Sequence, residues 1–180
     1  MTITETKLPG LLVIDPKVFG DERGYFFESF NRSAFELAGL PADFLQDNES
    51  KSAKGVLRGL HFQHPPYEQG KLVRVARGAA MDVSVDIRKG SSTYGKWEAF
   101  ELTGQNKRMI WIPPGFAHGF LSLEDDTIFI YKCTNVYNRE SEDAIIWNDP
   151  DLNILWNTDN PKVSEKDQQA HSFRDLKSPF

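Results

Sequence analysis

Short runs of alternating apolar and polar residues recur along the chain at intervals of about ten residues. Such alternation is typical of strands, because successive side chains on a strand point to opposite faces of its sheet. Scattered Gly and Pro mark turns between the runs. Many short strands without long helices predict an all-β fold, specifically a double-sheet jelly roll with a few short helices. The predicted strands are Leu11–Val18, Gly24–Ser29, Gly55–Gln63, Lys71–Arg77, Ala80–Ile87, Trp97–Leu102, Arg108–Ile112, Gly119–Ser122 and Thr127–Thr134.

Two short helices interrupt this pattern. Asn31 or Ser33 is placed to cap a helix that runs through Ala38, and a second helix is predicted to begin at Ser164. Internal repeats, linkers and low-complexity tracts are not visible in the chain. The length and the even distribution of strands therefore predict a single domain over residues 1–180.

Charge and cysteine content narrow the classes of partner. The chain has 21 Lys and Arg against 26 Asp and Glu, a net charge of −5, which argues against a nucleic-acid partner. A small anionic ligand is still compatible with this net charge, because the affinity for such a ligand depends on the local placement of Arg and Lys. The only cysteine, Cys133, rules out an internal disulfide and indicates a reducing compartment. With no apolar run near the length of a membrane span, we predict a soluble, cytoplasmic protein without a membrane partner.

The segment Gly55–Lys71 concentrates groups that could perform proton chemistry. It contains Arg58, His61 and Lys71, which are a base and two cations within one strand-turn-strand unit. Strict alternation would put Arg58 and His61 on opposite faces of their strand. The two side chains can share a site only if Gly59 marks a bulge or a bend.

His61 has two interpretations. A single histidine on a strand is more often structural than catalytic, but Arg58, Gln63, His64 and Lys71 crowd the same unit, and a core does not need so many polar groups. An imidazole is also the side chain best suited to take a proton near neutral pH. A carboxylate that held the second ring nitrogen of His61 would make the imidazole a better base, and Asp167 is a candidate for this carboxylate.

A second histidine raises the question of a metal. The spacings Gly55-x5-His61 and Pro113-x-Gly115-x2-His118 fit the two cupin motifs, whose histidines bind metal ions. Gln63, however, stands where the first motif has its second histidine, and Lys107 replaces the glycine of the second motif. An amide is a poor ligand for a transition metal. We therefore predict that no functional metal is bound, and keep a metal-dependent cupin as an alternative.

Three further groups each have a structural and a functional interpretation. Tyr131 lies on one strand face with Phe129 and Cys133. It is either a half-buried core aromatic or a general acid. Arg23 is a solvated turn residue, or it joins Phe26 and Glu28 in binding a nucleotide. Gln46 and Asn48 are polar loop residues, or amides that read the edge of a base.

Taken together, these residues resemble the dTDP-4-dehydrorhamnose 3,5-epimerase family of nucleotide-sugar biosynthesis. Each motif is weak alone, but eight in the family's order are specific, and they cover nearly the whole chain. The motifs are Asp21–Glu28, Gln46–Ser50, Gly55–Gln63, Lys71–Val75, Val85–Ser91, Trp111–Phe120, Tyr131–Thr134 and Ser164–Asp167.

The resemblance implies a cofactor-free, cupin-like jelly roll that acts as a homodimer on a dTDP-sugar. It implies that His61 is the base held by Asp167, that Tyr131 is the acid and that Lys71 stabilises an enolate oxygen. It further implies a set of residues that bind the sugar nucleotide: Arg23, Glu28, Gln46, Asn48, Arg58, His118, Glu142 and Lys166. Phe19 and Phe26 would stack on the thymine, either in this chain's site or in that of a partner subunit.

The predicted reaction is epimerisation at C3 and C5 of dTDP-4-dehydro-6-deoxy-D-glucose, which gives dTDP-4-dehydro-L-rhamnose. A nucleotide-sugar epimerase that inverts only one of these carbons would carry the same residues, so it stays an alternative. A silent sugar-nucleotide binding domain is disfavoured, because His61 and Tyr131 are both present.

Overall fold

The computed structural model describes residues 1–180, and most of its regular structure is β-strand. In chain order the strands are β1 (Thr2–Glu5), β2 (Leu12–Asp15), β3 (Phe19–Asp21), β4 (Gly24–Phe26), β5 (Gln46–Ser52), β6 (Val56–Gln63), β7 (Lys71–Arg77), β8 (Ala79–Asp86), β9 (Trp97–Thr103), β10 (Met109–Ile112), β11 (Phe116–Ser122), β12 (Thr127–Cys133), β13 (Glu142–Ala144) and β14 (Lys162–Val163). The helices are α1 (Arg32–Leu37), α2 (Glu165–Gln168) and a 3₁₀ turn at Phe173–Asp175. None of the helices is both long and apolar enough to cross a membrane.

Two sheets face each other, and a separate hairpin projects from them. The first sheet has the strand order β1-β2-β10-β7-β12-β5, and the second has the order β13-β6-β11-β8-β9 with β14 added alongside β6. All pairings within the two sheets are antiparallel except that of β14 with β6. β3 and β4 form the separate hairpin. This architecture confirms the predicted all-β, double-sheet jelly roll.

The nine predicted strands are all present, and five strands were not predicted. The most instructive omission is β5, whose sequence from Gln46 to Ser52 contains no apolar residue. It alternates between half-buried and exposed positions, but its inward face meets a polar interior, so hydrophobicity carries no signal there. The interpretation of Gln46 and Asn48 as loop residues was therefore wrong. Both helix starts are confirmed, since Asn31 caps α1 and Ser164 caps α2.

Three apolar clusters pack between the two sheets and against their outer faces. The cluster between the sheets includes Val73, Ile110 and Phe129. A second cluster covers the outer face of the first sheet, where Phe35 of α1 packs. The third covers the outer face of the second sheet, where Trp156 of the C-terminal segment packs. Because the outer faces are covered, the only large polar surface of the second sheet's central strands is the one that faces the interior.

A bulge in β6 satisfies the geometric requirement that the sequence imposed. Between the residues that pair with Arg58 and His61, β11 has the single residue Gly119, whereas β6 has the two residues Gly59 and Leu60. The extra residue shifts the register by one position, so Arg58 and His61 come to the same face of the strand. The predicted bulge is thus confirmed.

Gly59 is required at this bulge for two reasons. Its φ is +123°, a conformation that L side chains rarely adopt, and a Cβ there would lie 2.5 Å from the Cα of Gly119. We expect Gly59→Ala to lower the free energy of unfolding by about 2 to 4 kcal/mol in urea titrations. Gly24→Ala is the matched control, because Gly24 has a φ of +130° but a Cβ added there would have nothing within 4 Å. Equal losses for both variants would contradict the role of the close contact.

A buried carboxylate organises the loop after β8. Asp86 is fully buried and accepts hydrogen bonds from Arg88 Nε at 2.9 Å, Ser91 Oγ at 2.6 Å and Thr93 Oγ1 at 2.6 Å. Burial by itself opposes ionisation, but the hydrogen bonds of Arg88, Ser91 and Thr93 outweigh it and lower the pKa of Asp86 to about 2.

This low pKa predicts a stability that depends on pH. The ordinary pKa of the carboxyl is 3.8 and the folded value is about 2, so ionised Asp86 stabilises the fold above pH 4, and this contribution is lost as the pH falls towards 2. We expect Asp86→Asn to cost about 2 kcal/mol at pH 7 and less at pH 3, measured by urea unfolding. Asp159→Asn, at an exposed position, is the control. A cost for Asp86→Asn that did not change with pH would refute this account.

Candidate active site

A cavity of about 280 Å³ opens between the two sheets. Many of its lining side chains are polar or charged, which is unusual for the interior of a jelly roll. It brings together seven of the residues that the sequence predicted to act on or bind the substrate. These are Gln46, Arg58, His61, Lys71, His118, Tyr131 and Glu142.

His61 forms a hydrogen-bonded pair with the carboxylate of Asp167. His61 Nε2 lies 2.6 Å from Asp167 Oδ1, and the backbone N–H of Gly59 points at Oδ2 from 3.4 Å. Asp167 is buried in the first turn of α2, where its own N–H donates to the capping hydroxyl of Ser164 at 3.1 Å. Because Nε2 is occupied by the carboxylate, Nδ1 of His61 is the ring nitrogen available for other partners.

The charge of Asp167 is maintained despite its burial. Burial opposes ionisation, but the pairing with His61, together with the Gly59 N–H and the Ser164 cap, holds the pKa of Asp167 below its ordinary value. The carboxylate is therefore ionised at neutral pH and accepts a hydrogen bond from Nε2 of His61. This arrangement fixes the orientation of the imidazole.

Lys71 and Tyr131 come from adjacent strands of the first sheet. Burial lowers the pKa of Lys71, and the nearby acidic groups Asp82 and Glu142 act in the opposite direction. Burial raises the pKa of Tyr131, so the phenol keeps its proton at neutral pH. Phe129, Tyr131 and Cys133 share the inward face of β12, as the sequence predicted.

The acid–base candidates stand on opposite walls of the cavity. His61 belongs to β6 in the second sheet, whereas Tyr131 belongs to β12 in the first sheet. A flat molecule between the sheets would therefore have the imidazole on one side and the phenol on the other. The arrangement can remove a proton from one face of a ring and deliver a proton to the opposite face.

A hydrogen-bonded group borders the cavity next to His61. Glu142 accepts from Tyr137 Oη at 2.8 Å and forms an ion pair with Lys166 of α2. The N–H of Tyr137 donates to Gln46 Oε1 at 2.7 Å, so β5, β13, α2 and the loop after β12 are connected here. Burial opposes ionisation of Glu142, but the bonds from Lys166 and Tyr137 keep its pKa below the ordinary value.

Asn48 lies beside the cavity and does not line it. Its amide nitrogen lies 3.7 Å from the sulfur of Cys133, and its carbonyl oxygen accepts from Gln46 Nε2 at 3.0 Å. Asn48 therefore holds Gln46, which reaches the cavity wall. Lys166 and Asp167 line a smaller recess that adjoins the cavity at Arg58 and His61.

Four predicted nucleotide-binding residues lie away from this chain's cavity. Phe19 and Phe26 are on the β3–β4 hairpin and are 53% and 66% exposed. Arg23, at the tip, pairs with Asp21 and is highly exposed. Glu28 accepts a hydrogen bond from the side chain of Asn31 at 2.9 Å. Within one chain, the hairpin therefore contributes nothing to the cavity, because its residues line a separate surface recess.

The residues present do not fit a cupin metal centre. Gln63, at the position of a cupin ligand, donates its amide to the backbone oxygens of Tyr67 at 2.6 Å and Val136 at 3.1 Å. Its oxygen accepts from the N–H of Asn138 at 2.8 Å, so the side chain is fully used in joining two loops. No group of three or more His, Cys, Asp and Glu side chains is arranged to hold a metal ion.

Several residues of the site were missed by the sequence analysis. Ser50, Gln69, Phe120 and Tyr137 line the cavity. Ser50 lies on the unrecognised strand β5, and Gln69 and Tyr137 lie in loops without any periodic pattern. Asp82, behind the cavity wall, had a usable signal, because three polar residues alternate with apolar ones along β8 and thus mark a polar face.

The jelly roll, with an imidazole and a phenol on facing walls of its cavity, defines the class of the protein, a cupin-like isomerase. The chain matches the family model of dTDP-4-dehydrorhamnose 3,5-epimerase over residues 5–175. It is 53% identical to the dTDP-4-dehydrorhamnose 3,5-epimerase of Shigella flexneri over 176 residues, which are 97% of each chain. The protein belongs to the dTDP-4-dehydrorhamnose 3,5-epimerase family.

Solved structures agree with this assignment. The dTDP-6-deoxy-D-glucose-3,5-epimerase of Legionella pneumophila, in complex with dTDP-4-keto-L-rhamnose, is 48% identical and superposes with a TM-score of 0.93 over 97% of this chain and 94% of its own. A more distant relative is a 3'-monoepimerase from Streptomyces bikiniensis, in complex with dTDP-quinovose. It is 34% identical, with a TM-score of 0.88 over 93% of this chain and 85% of its own.

Proposed function

We propose that the protein epimerises C3 and C5 of dTDP-4-dehydro-6-deoxy-D-glucose and so forms dTDP-4-dehydro-L-rhamnose. Membership of the family supports this activity. The single structural observation that carries it is the position of His61 and Tyr131 on facing sheets. Inversion of a carbon requires a proton to leave one face of the sugar ring and a proton to arrive at the other.

His61 acts as the base in this mechanism. Nδ1 takes the proton from C3 or C5, both of which flank the C4 ketone. The electron pair of the broken C–H bond forms a carbon–carbon double bond, and the carbonyl electron pair moves to O4, which gives an enolate. Asp167, 2.6 Å from Nε2, stabilises the imidazolium that results.

Lys71 stabilises the charge that develops on O4. Its ammonium group faces the cavity between the sheets, where water is largely displaced by substrate. A fixed cation in such an environment stabilises an enolate more strongly than it stabilises the neutral ketone, and this difference lowers the barrier. The removal of one such donor typically costs on the order of 100- to 1,000-fold in rate.

Tyr131 completes the inversion. Its hydroxyl gives a proton to the carbon from the opposite face, the enolate collapses to the ketone, and the phenolate then recovers a proton from the imidazolium through solvent. The raised pKa of Tyr131 supports this role, because the phenol is protonated when the enolate forms. No net electron transfer occurs, so the reaction needs no oxidant or reductant.

The other predicted residues bind the sugar nucleotide. Arg58, Gln46, His118 and Glu142 line the cavity, and Lys166 adjoins it. A guanidinium group suits the diphosphate, which accounts for a cationic site in a chain with a net charge of −5.

Proton exchange in D2O tests the reaction and its residues. With dTDP-4-dehydro-6-deoxy-D-glucose, we expect the protein to exchange the C3 and C5 protons, followed by NMR. His61→Asn should lower exchange at both carbons by about 100- to 10,000-fold. Tyr131→Phe should keep more exchange than inversion, because the base still removes and returns a proton on its own face.

His64→Asn is the matched control, since His64 pairs with Asp143 at 2.9 Å outside the cavity. Full turnover by His61→Asn would overturn the assignment of the base. Exchange at one carbon only would make the protein a single-centre epimerase, the activity named for the relative from Streptomyces bikiniensis. Exchange at neither carbon would refute the proposed function.

We further propose that the β3–β4 hairpin completes the site of a partner subunit in a homodimer. The exposure of Phe19 and Phe26 supports this role, because two aromatic side chains on a projecting hairpin leave much apolar surface uncovered. Arg23 at the tip adds a cation that the diphosphate could use in the neighbouring site.

Mixed dimers test the exchange of hairpins between subunits. Arg23→Ala and His61→Asn chains should each form poorly active homodimers. If Arg23 acts in the partner's site, each mixed dimer regains one intact site, and an equal co-expressed mixture should recover about a quarter of wild-type turnover. No recovery, in a mixture shown by native mass spectrometry to contain mixed dimers, would place Arg23 outside the partner's site. A monomeric wild-type protein in the same measurement would refute the dimer itself.

A further inference from the structure

The cavity contains a second imidazole–carboxylate pair that the mechanism above does not use. His118 Nε2 lies 2.6 Å from Asp82 Oδ2. His118 is on β11 and lines the cavity, and Asp82 is on the neighbouring strand β8, behind the imidazole. His118 is 7% exposed and Asp82 is completely buried. This pair is therefore more deeply enclosed than His61 and Asp167.

Asp82 has one oxygen that the rest of the chain leaves unpaired. Oδ1 is buried without a hydrogen-bond partner, whereas Oδ2 binds His118. A buried ionised carboxylate with a free oxygen is costly to maintain unless its charge has a use nearby. Lys71 lines the cavity from the other sheet, and the charge of Asp82 raises its pKa against the lowering effect of burial.

We infer that Asp82 is a positioning residue for the enolate side of the site, where it orients His118 and provides the buried counter-charge of Lys71. The inference rests on the proposed epimerase function. An ionised carboxylate can only accept, so His118 Nε2 donates to it and Nδ1 is presented to the sugar as a fixed acceptor. The negative charge keeps the neighbouring ammonium in the protonated form that an enolate requires.

The two imidazole–carboxylate pairs, His61–Asp167 and His118–Asp82, thus have different roles. Asp167 supports the imidazole that removes the proton, and Asp82 supports the groups that meet the sugar and its oxyanion. Both carboxylates are buried, and each pairs with an imidazole that lines the cavity. Asp82 therefore acts through His118 and Lys71, and it makes no contact with the reacting atoms.

The expected pH dependence follows from the groups around Lys71. Asp82 of β8, Glu142 of β13 and Cys133 of β12 affect its charge directly. The other titratable groups that line the cavity are Arg58, His61, His118, Tyr131 and Tyr137. Because Lys71 must be protonated, activity is lost as the pH rises through its pKa. Removal of the Asp82 charge lowers that pKa further, so the alkaline limb of the rate profile moves to lower pH.

Asp82→Asn tests this inference against Ser84→Ala. Ser84 is the matched control, since it is one pleat along the same face of β8, equally buried, and its hydroxyl also has no partner. We expect Asp82→Asn to lower kcat on the order of 10- to 100-fold, with KM changed by less than about twofold. Its alkaline limb should lie at lower pH than that of the wild type. Ser84→Ala should match the wild type in both respects.

Wild-type kcat and pH profile in folded Asp82→Asn would overturn the inference, as would equal damage in Ser84→Ala. A second measurement does not depend on the folding of Asp82→Asn. In ¹⁵N-histidine-labelled His61→Asn protein, the Nε2–H of His118 should give a slowly exchanging downfield proton resonance, and its absence would refute the orientation of the imidazole. Wild-type turnover is measured first. If the wild type does not turn over the substrate, the proposed function fails, and this result is distinct from a failure of the inference about Asp82.

Discussion

The close approach of two backbones at Gly59 and Gly119 is the contact on which the site depends. It admits the extra residue of β6, and this residue turns Arg58 and His61 to the same side of the strand. The same bulge points the N–H of Gly59 at Asp167. One departure from regular pairing therefore places the proposed base, His61, and directs a backbone donor at Asp167, the carboxylate that pairs with it.

The polar interior is made stable by pairing within it. Imidazole–carboxylate pairs at His61 and His118 place each buried negative charge next to a donor, which avoids much of the cost of an isolated charge. Gln63 shows the same principle at the loops, because all of its hydrogen bonds go to backbone groups. Because its polar groups are paired, the interior holds them in fixed positions, and a preorganised site requires such fixed positions.

The sequence predicted the architecture well and the site unevenly. Apolar alternation located the strands that pack on apolar clusters, and capping residues located both helices. It failed at β5 because a strand between a polar cavity and solvent has no hydrophobic period. The bulge at Gly59 could be predicted because two functional side chains at odd spacing demanded it. The placement of the hairpin could not be predicted, since nothing local in Phe19–Phe26 says that these residues project from the two sheets with their aromatic rings exposed.

The distance between the two sheets matters for the proposed chemistry, because the proposed base His61 and the proposed acid Tyr131 are carried by different sheets. Phe120 of β11 and Phe129 of β12 stack across this gap, with ring centroids 4.1 Å apart and planes 1° from parallel. Both rings line the cavity, and each lies two residues from a functional side chain, His118 or Tyr131. The stack joins the sheets at the point where their separation must match the thickness of a sugar ring. Core packing and substrate geometry are therefore set by the same pair of side chains.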